Sequence, residues 1–337
     1  MIVVQRPVAL FAMRSRHMTE VFTPDVLEQI GRLTRIDPDL VAERFDEPRI
    51  RRALAETEVL ITGWGCPPLD AATLAGAPRL RAVLHAAGSV KAHVTQACWD
   101  RGLTVSSAAA ANAIPVAEYA LAAILFAGKG VFTLRERYRD DRVFTPAAMV
   151  PGVGNFGQRV GIIGASRIGR RVLELLHPFD LDVYLADPYV TAAEAADLGA
   201  TLLPLDDLLR DCAVVSVHAP SIPETHGLLD ARRLALLPDG AVLINTARGE
   251  IVDTAALTVE VGAGRISAVL DVTDPEPVPS TSPLFDLPGV FLTPHVSGSH
   301  GNEIHRLGQS ALDELRRYVT GRPLAHRVHE HELARSA

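Results

Sequence analysis

"RVGIIGASRIGRRVLELL", residues 159–176, reads as a buried strand, a glycine turn and a helix in immediate succession. Gly164 opens the turn, Gly169 closes it, and Ser166 stands between them, followed by Arg167 and Ile168. A helix that starts straight after a strand presents unpaired N–H groups and a positive dipole end, which suits a pyrophosphate. The dinucleotide fingerprint places a glycine where this chain has Ser166, so the serine is a departure, small and able to hydrogen bond. The next apolar run, "DVYLAD", ends at Asp187, at roughly the twenty-residue distance the fingerprint asks for. A carboxylate there accepts the ribose hydroxyls of NAD and repels the extra phosphate of NADP. Without that aspartate, the turn alone would equally be a tight strand–helix packing corner.

Working outward, short apolar runs alternate with helix-length segments through most of the chain. Before the turn lie "VALFA", "VLIT", "AVLH" and "LTVSS"; after it lie "AVVSVH", "AVLINT", "ISAVLDV" and "VFLTPH". Continuous apolar runs joined by helices predict α/β architecture, with parallel sheets covered on both faces. At 337 residues the chain is long for one core, so two Rossmann-like or flavodoxin-like domains are expected. Breaks near "NAIPVAE" and "PHVSGSHGNE" make the first domain discontinuous: 1–114 with 297–337 forms a substrate domain, and 115–296 a nucleotide-binding domain. Pro115 is expected to open a helix, and a second helix should run from about Glu303 to Thr320. The tail "HRVHEHELARSA", 326–337, is polar and expected to fray.

Bulk properties narrow the function. Hydrophobic residues make up 48% and charged residues 22%, which excludes a disordered or fibrous chain. A net charge of −7 argues against nucleic acid or an anionic membrane as partner. Cys66, Cys98 and Cys212 are too few and too scattered for a disulfide framework, so a reducing cytoplasm is expected. The N-terminal run "PVALFAM" is strand-length, and no signal peptide is read from it. "IPVAEYALAAILFAG", 114–128, is short for a membrane span and carries Glu118, so a buried helix is expected. No metal site is expected, since His300 and His305 do not share a helix face. The mixed-sign run "RERYRDDR", 135–142, reads as an exposed helix or a subunit-contact arm.

In an open α/β sheet, ligands bind beyond the carboxyl ends of the strands. The apolar runs end at His218; at Asn245, Thr246 and Arg248; at Asp271, Asp274 and Glu276; and at His295. A cation, carboxylates and an imidazole therefore collect along one edge. Reduction of a 2-keto acid needs those groups: Arg248 to grip the carboxylate bidentately, and His295 to donate a proton. Glu276, bonded to the other ring nitrogen, would favour the imidazolium. Taken singly, each has an ordinary reading: a strand-end histidine, a surface ion pair, a solvated carboxylate in a proline-rich loop. Cys66 reads as a packing residue.

The segments "NAIPVAEYAL", "GIIGASRIG", "HAPSIPETHGLL", "LPDGAVLINTARGEIVD", "DVTDPEP" and "LTPHVSG", in this order, resemble the D-isomer-specific 2-hydroxyacid dehydrogenase family. The resemblance implies a split substrate domain around a central NAD-binding domain and a homodimer formed mainly through the latter. It implies Arg248 as substrate arginine, Glu276 as histidine partner and His295 as acid–base group. It also implies Asp187 at the adenosine ribose and Asp271 near the nicotinamide carboxamide. His218, Ala219, Pro220, Thr225, Thr246 and Ala247 would line the NAD site. A first-domain loop, here "HAAGSVKAH", would touch the substrate carboxylate through Ala87, Gly88 and Ser89, although Val90 stands where an aspartate is common. Trp64, in "TGWGCP", would wall the pocket. The partner is then a small 2-hydroxy or 2-keto acid and the reaction a hydride transfer with NAD. Three other readings stay open: an NAD-responsive corepressor-like binding protein, an amino-acid dehydrogenase, and a family member acting on formate or phosphite.

Overall fold

The computed structural model describes residues 6–144 and 152–333. Among them the chain divides into two compact units, Met1–Asn112 with Ser299–Arg335, and Ala113–Gly298. Each is a sheet with helices on both faces, wholly parallel in the second unit and parallel but for one edge strand in the first. The boundaries fall two residues from the expected 114 and 297, inside one helix and just past the His295 segment.

The first unit contains strands β1 (Ala9–Ala12), β2 (Val59–Thr62), β3 (Ala82–His85) and β4 (Thr104–Ser107), all parallel in that spatial order. Strand period two buries alternate residues on opposite faces: Leu10 and Ala12 join one core, Ala9 and Phe11 the other. Val90, where an aspartate was expected, is 2% exposed and belongs to the first of these cores.

The tail expected to fray is ordered over its described part, residues 326–333. Arg327–Val328 forms the final strand β12, antiparallel to β4, and Glu330–Leu333 is helical; the last four residues lie outside the described ones. The cause is Glu314, 2% exposed on the Ile304–Val319 helix, whose two oxygens accept from Ala325 N–H (3.0 Å) and His326 N–H (3.1 Å). That clamp aims the chain at the β4 edge.

The second unit contains β5 (Gln158–Ile163), β6 (Leu181–Ala186), β7 (Thr201–Leu202), β8 (Val214–Val217), β9 (Val242–Asn245), β10 (Ser267–Leu270) and β11 (Val290–Leu292). Their order is β11-β10-β9-β8-β5-β6-β7, all parallel, so the winding reverses between β5 and β8. That reversal opens the crevice where doubly wound sheets take ligands. Ile163, Val215 and Leu243 pack on one face; Val160, Ile162 and Ile244 pack on the other.

The helix expected to open at Pro115 begins earlier, at Ala109, and continues to Gly128 with the proline inside it. The "SAAAANA" stretch supplies strong helix formers upstream, and their propensity extends the helix past a residue that lacks an N–H. At 20 residues it is long and apolar enough to cross a membrane by composition; Ala117, Ala120, Ala123 and Ile124 instead pack in the core with Val160 and Ile162. Val131–Asp141, which carries most of the mixed-sign run, is a helix with no buried residue.

Candidate active site

The glycine turn sits at the sheet's switch point and is built for close approach. Gly164 adopts φ +94°, and a Cβ there would stand 2.7 Å from Ala219 N on the neighbouring β8 loop. A Cβ on Gly169 would strike Gly164 O. Ser166 explains its own departure from the fingerprint: at φ −62° it needs no glycine, and its Oγ caps the Arg167–Leu176 helix by accepting from Gly169 N–H (3.3 Å). Gly169, Val172, Leu173 and Leu176 hold the helix's apolar face down by the i, i+3, i+4, i+7 pattern. The first-turn N–H groups at Arg167 and Ile168 precede the capped one and point out of the same end.

Asp187 follows β6, half-buried, and its carboxylate accepts from Ala165 N–H (2.7 Å) and Tyr189 N–H (2.8 Å). Both backbone donors hold it at the mouth of the glycine turn. His218 lies under the turn rather than beside it. It is 3% exposed, its Nε2 pairs with Ser216 Oγ (2.9 Å), and burial pushes its pKa down to about 3. Its ring is neutral, and Nδ1 has no hydrogen-bond partner among the described residues. Ala219 and Ala247 are buried beside it, and Thr225 uses its hydroxyl to knit its own loop to Pro220 O (2.6 Å). Thr246 Oγ1 is buried with no protein partner. An orphaned hydroxyl, a glycine cradle that a Cβ would fill, unpaired helix N–H groups and a placed carboxylate together fit a dinucleotide.

Three loops leave the carboxyl ends of β9, β10 and β11 on this same edge. Asn245 shapes the first: its Oδ1 accepts from Ala247 N–H (3.0 Å) and its Nδ2 donates to Arg248 O (2.9 Å). Arg248 is half-buried, donates from Nη1 to Ala247 O (2.6 Å), and takes part in no ion pair among the described residues. A half-buried guanidinium so close to the sheet edge can take an anionic group. Gly249 then packs against the Thr273 and Asp274 backbone so closely that a Cβ would collide with both. That contact ties the Arg248 loop to the loop carrying Glu276.

Glu276 Oε1 accepts from His295 Nδ1 at 2.6 Å, a charge-assisted pair with both side chains about half exposed. Because a carboxylate only accepts, the ring hydrogen sits on Nδ1 and Nε2 becomes the proton-exchanging atom. His295 is held at φ 55°, in the left-handed region that non-glycine residues rarely enter. Asp271, expected at the nicotinamide, is 1% exposed and turned into the His295 segment, where Val296 and Ser297 N–H donate to it. A cavity of about 880 Å³ is lined by His295 and Glu276, by Val278, Leu284 and Phe291, and by Arg135 and Arg139.

The remaining expected substrate residues lie on the first unit. Ala87, Gly88 and Ser89 form the turn after β3, running from buried to exposed. Trp64 follows β2, half-buried, with its ring edge-on to His17 (centroids 5.4 Å apart). Beneath these loops, Thr62 Oγ1 bonds His85 Nδ1 (2.9 Å) and His93 Nε2 (3.3 Å). Burial pushes the His93 pKa down to about 4 and that of His85 well below the usual histidine value.

A reversed parallel sheet, a glycine turn at its switch point and an acid closing the second strand define a dinucleotide-binding Rossmann domain. Residues 121–297 match the model of the D-isomer specific 2-hydroxyacid dehydrogenase NAD-binding domain, and the chain belongs to that family. NAD is the cofactor of this domain. D-3-phosphoglycerate dehydrogenase of Mycobacterium bovis is 36% identical over 82% of this chain and 52% of its own length. Glyoxylate reductase of Korarchaeum cryptofilum is 30% identical over 75% of this chain and 77% of its own. In fold, the chain is similar to a phosphoglycerate oxidoreductase from Rhizobium etli, with TM-score 0.82 and 22% identity over 97% of this chain and 99% of that one. The chain spans about half the length of the mycobacterial relative.

Proposed function

We propose that the protein is an NAD-dependent oxidoreductase that interconverts small 2-hydroxy and 2-keto acids, with D specificity. The observation that carries this reading is the His295–Glu276 pair at 2.6 Å, on the same sheet edge as an arginine with no ion-pair partner among the described residues. Bound NAD supplies the hydride chemistry through its nicotinamide. The N–H groups of Arg167 and Ile168 would hold the pyrophosphate, Asp187 the ribose, and Thr246 Oγ1 would be a further donor to the cofactor.

Arg248 binds the substrate carboxylate through its planar fork, which fixes the orientation of the reacting carbon. In reduction, His295 Nε2 gives its proton to the carbonyl oxygen; in oxidation it removes the hydroxyl proton. Glu276 stabilises the imidazolium that oxidation creates and keeps the ring facing the substrate. Trp64, Ala87, Gly88 and Ser89 are proposed substrate contacts of the first unit. A cytoplasmic homodimer is the proposed working form.

The relatives' names point to acids as small as glyoxylate and as polar as 3-phosphoglycerate. The test is NADH oxidation with a panel of 2-keto acids, including glyoxylate, pyruvate and a phosphorylated keto acid. Turnover on at least one is the expected result. NADH binding with no turnover on any keto acid would overturn the enzyme reading in favour of a regulatory NAD-binding role.

A further inference from the structure

We propose that Tyr119 and Thr293 are positioning residues for His295, acting on its segment through the buried carboxylate of Asp271. The proposal deepens the reading of His295 as the acid–base group and rests on it. Asp271 Oδ1 accepts from Thr293 Oγ1–H (2.6 Å) and Val296 N–H (2.7 Å), and Oδ2 accepts from Ser297 N–H (2.8 Å). The Asp271 carbonyl accepts from His295 N–H (2.9 Å). One residue thus grips both flanks of the histidine and its own backbone.

The direction of the side-chain bonds follows from what each group can do. A carboxylate already receiving two backbone N–H bonds has no proton to offer, so the Thr293 hydroxyl gives its single hydrogen to Asp271. Thr293 Oγ1, 2.8 Å from Tyr119 Oη, is then the acceptor and the phenol the donor. The chain Tyr119→Thr293→Asp271 has one polarity and ends on the segment that carries His295. Tyr119 comes from the Ala109–Gly128 helix, half-buried, with its hydroxyl directed into this network. Burial and the Asp271 charge both push its pKa up, which keeps the phenol protonated and able to donate.

The segment needs such a grip. His295 occupies a left-handed backbone conformation, and a non-glycine residue stays there only when its surroundings over-determine it. Polarised chains of hydrogen bonds strengthen their members, and loss of the first donor weakens the last acceptor contacts. The Thr293 carbonyl also accepts from His295 N–H (3.0 Å), so loss of the hydroxyl chain disturbs placement of the imidazole and leaves its chemistry in place.

The test uses the full chain and three variants, Tyr119→Phe, Thr293→Val and Thr293→Ser. Two quantities are read: amide hydrogen exchange over residues 293–297 without substrate, and kcat, keto-acid KM and NADH Kd. Thr293→Val should speed exchange and lower kcat by about tenfold, while NADH Kd stays within about twofold. Tyr119→Phe should move both in the same direction by about threefold. Thr293→Ser, which restores only the hydroxyl, should return both to near the parent values. Unchanged exchange and kcat in Tyr119→Phe would overturn the proposal, as would a serine variant as impaired as the valine. If the parent protein reduces no keto acid, the activity reading falls, and the exchange measurement alone decides whether this chain holds the His295 segment.

Discussion

At the residue scale, the site reduces to which polar groups are satisfied by the protein and which are not. Asp187 and Asp271 have their bonding capacity largely met by neighbouring backbone or side chains, and His218 is met at Nε2 alone. Among the described residues the Arg248 guanidinium bonds only a carbonyl. The arginine is therefore the group with most to gain from an anionic substrate. Replacing it with lysine keeps the charge and removes the planar fork; we expect Arg248→Lys to lower kcat/KM for the keto acid by about ten- to a hundredfold, mainly through KM. Steady-state kinetics at saturating NADH check this, and parent-like values would remove Arg248 from carboxylate binding. The pairing of Glu276 with His295, and the place of Arg248 on the same sheet edge, were legible because their strands end in chemistry that a buried sheet does not need. The orientation of Asp271 and the inward turn of His218 were not legible. Both are strand-end polar residues, and whether such a side chain meets a ligand or folds back depends on a neighbouring loop. For Asp271 that loop lies more than twenty residues away in the chain, at Val296 and Ser297.

At the element scale, the strand–turn–helix of 158–176 shows how a local departure is absorbed. Ser166 replaces a glycine and becomes a helix cap, and close approach to the turn is left to Gly164. Ser166→Ala should cost about 1 kcal/mol of stability through the lost cap, with Ser166→Gly costing a few tenths. Urea unfolding followed by NADH fluorescence measures both; equal stability of serine and alanine forms would show that the cap carries no weight. Every strand of more than two residues was legible as an apolar run, because both faces of these sheets are buried. The two short strands were not. Thr201–Leu202 is too brief to show a period, and Arg327–Val328 exists because Glu314 on another element clamps the preceding turn. The early start of the Ala109 helix was hidden by Pro115, whose usual place in a first turn outweighed the alanines before it.

At the scale of the whole molecule, each unit buries neutral imidazoles. His85 and His93 lie in the first and His218 in the second, each 2–3% exposed. Their folded-state pKa values are pushed below the ordinary 6.5, to about 4 for His93 and about 3 for His218. The unfolded chain takes up protons near pH 6.5 that the folded chain refuses. Their contribution is therefore fully present above about pH 6.5 and is lost as pH falls toward 4, by about 1.4 kcal/mol per pH unit for each imidazole. Tm should drop between pH 7 and pH 5, before most carboxylates titrate, and His93→Gln should flatten that drop. A Tm that stays level across this range would contradict burial of these rings in the neutral form.

The measurement that bears most directly on the account compares parent and His295→Ala proteins in NADH-dependent reduction of whichever keto acid the parent turns over best, with NADH Kd measured alongside. The account predicts that kcat falls by about 10²–10⁴ while NADH Kd stays within about twofold, because the imidazole moves a proton and does not hold the dinucleotide. Turnover equal to the parent, or an equally steep loss of NADH binding, would contradict it.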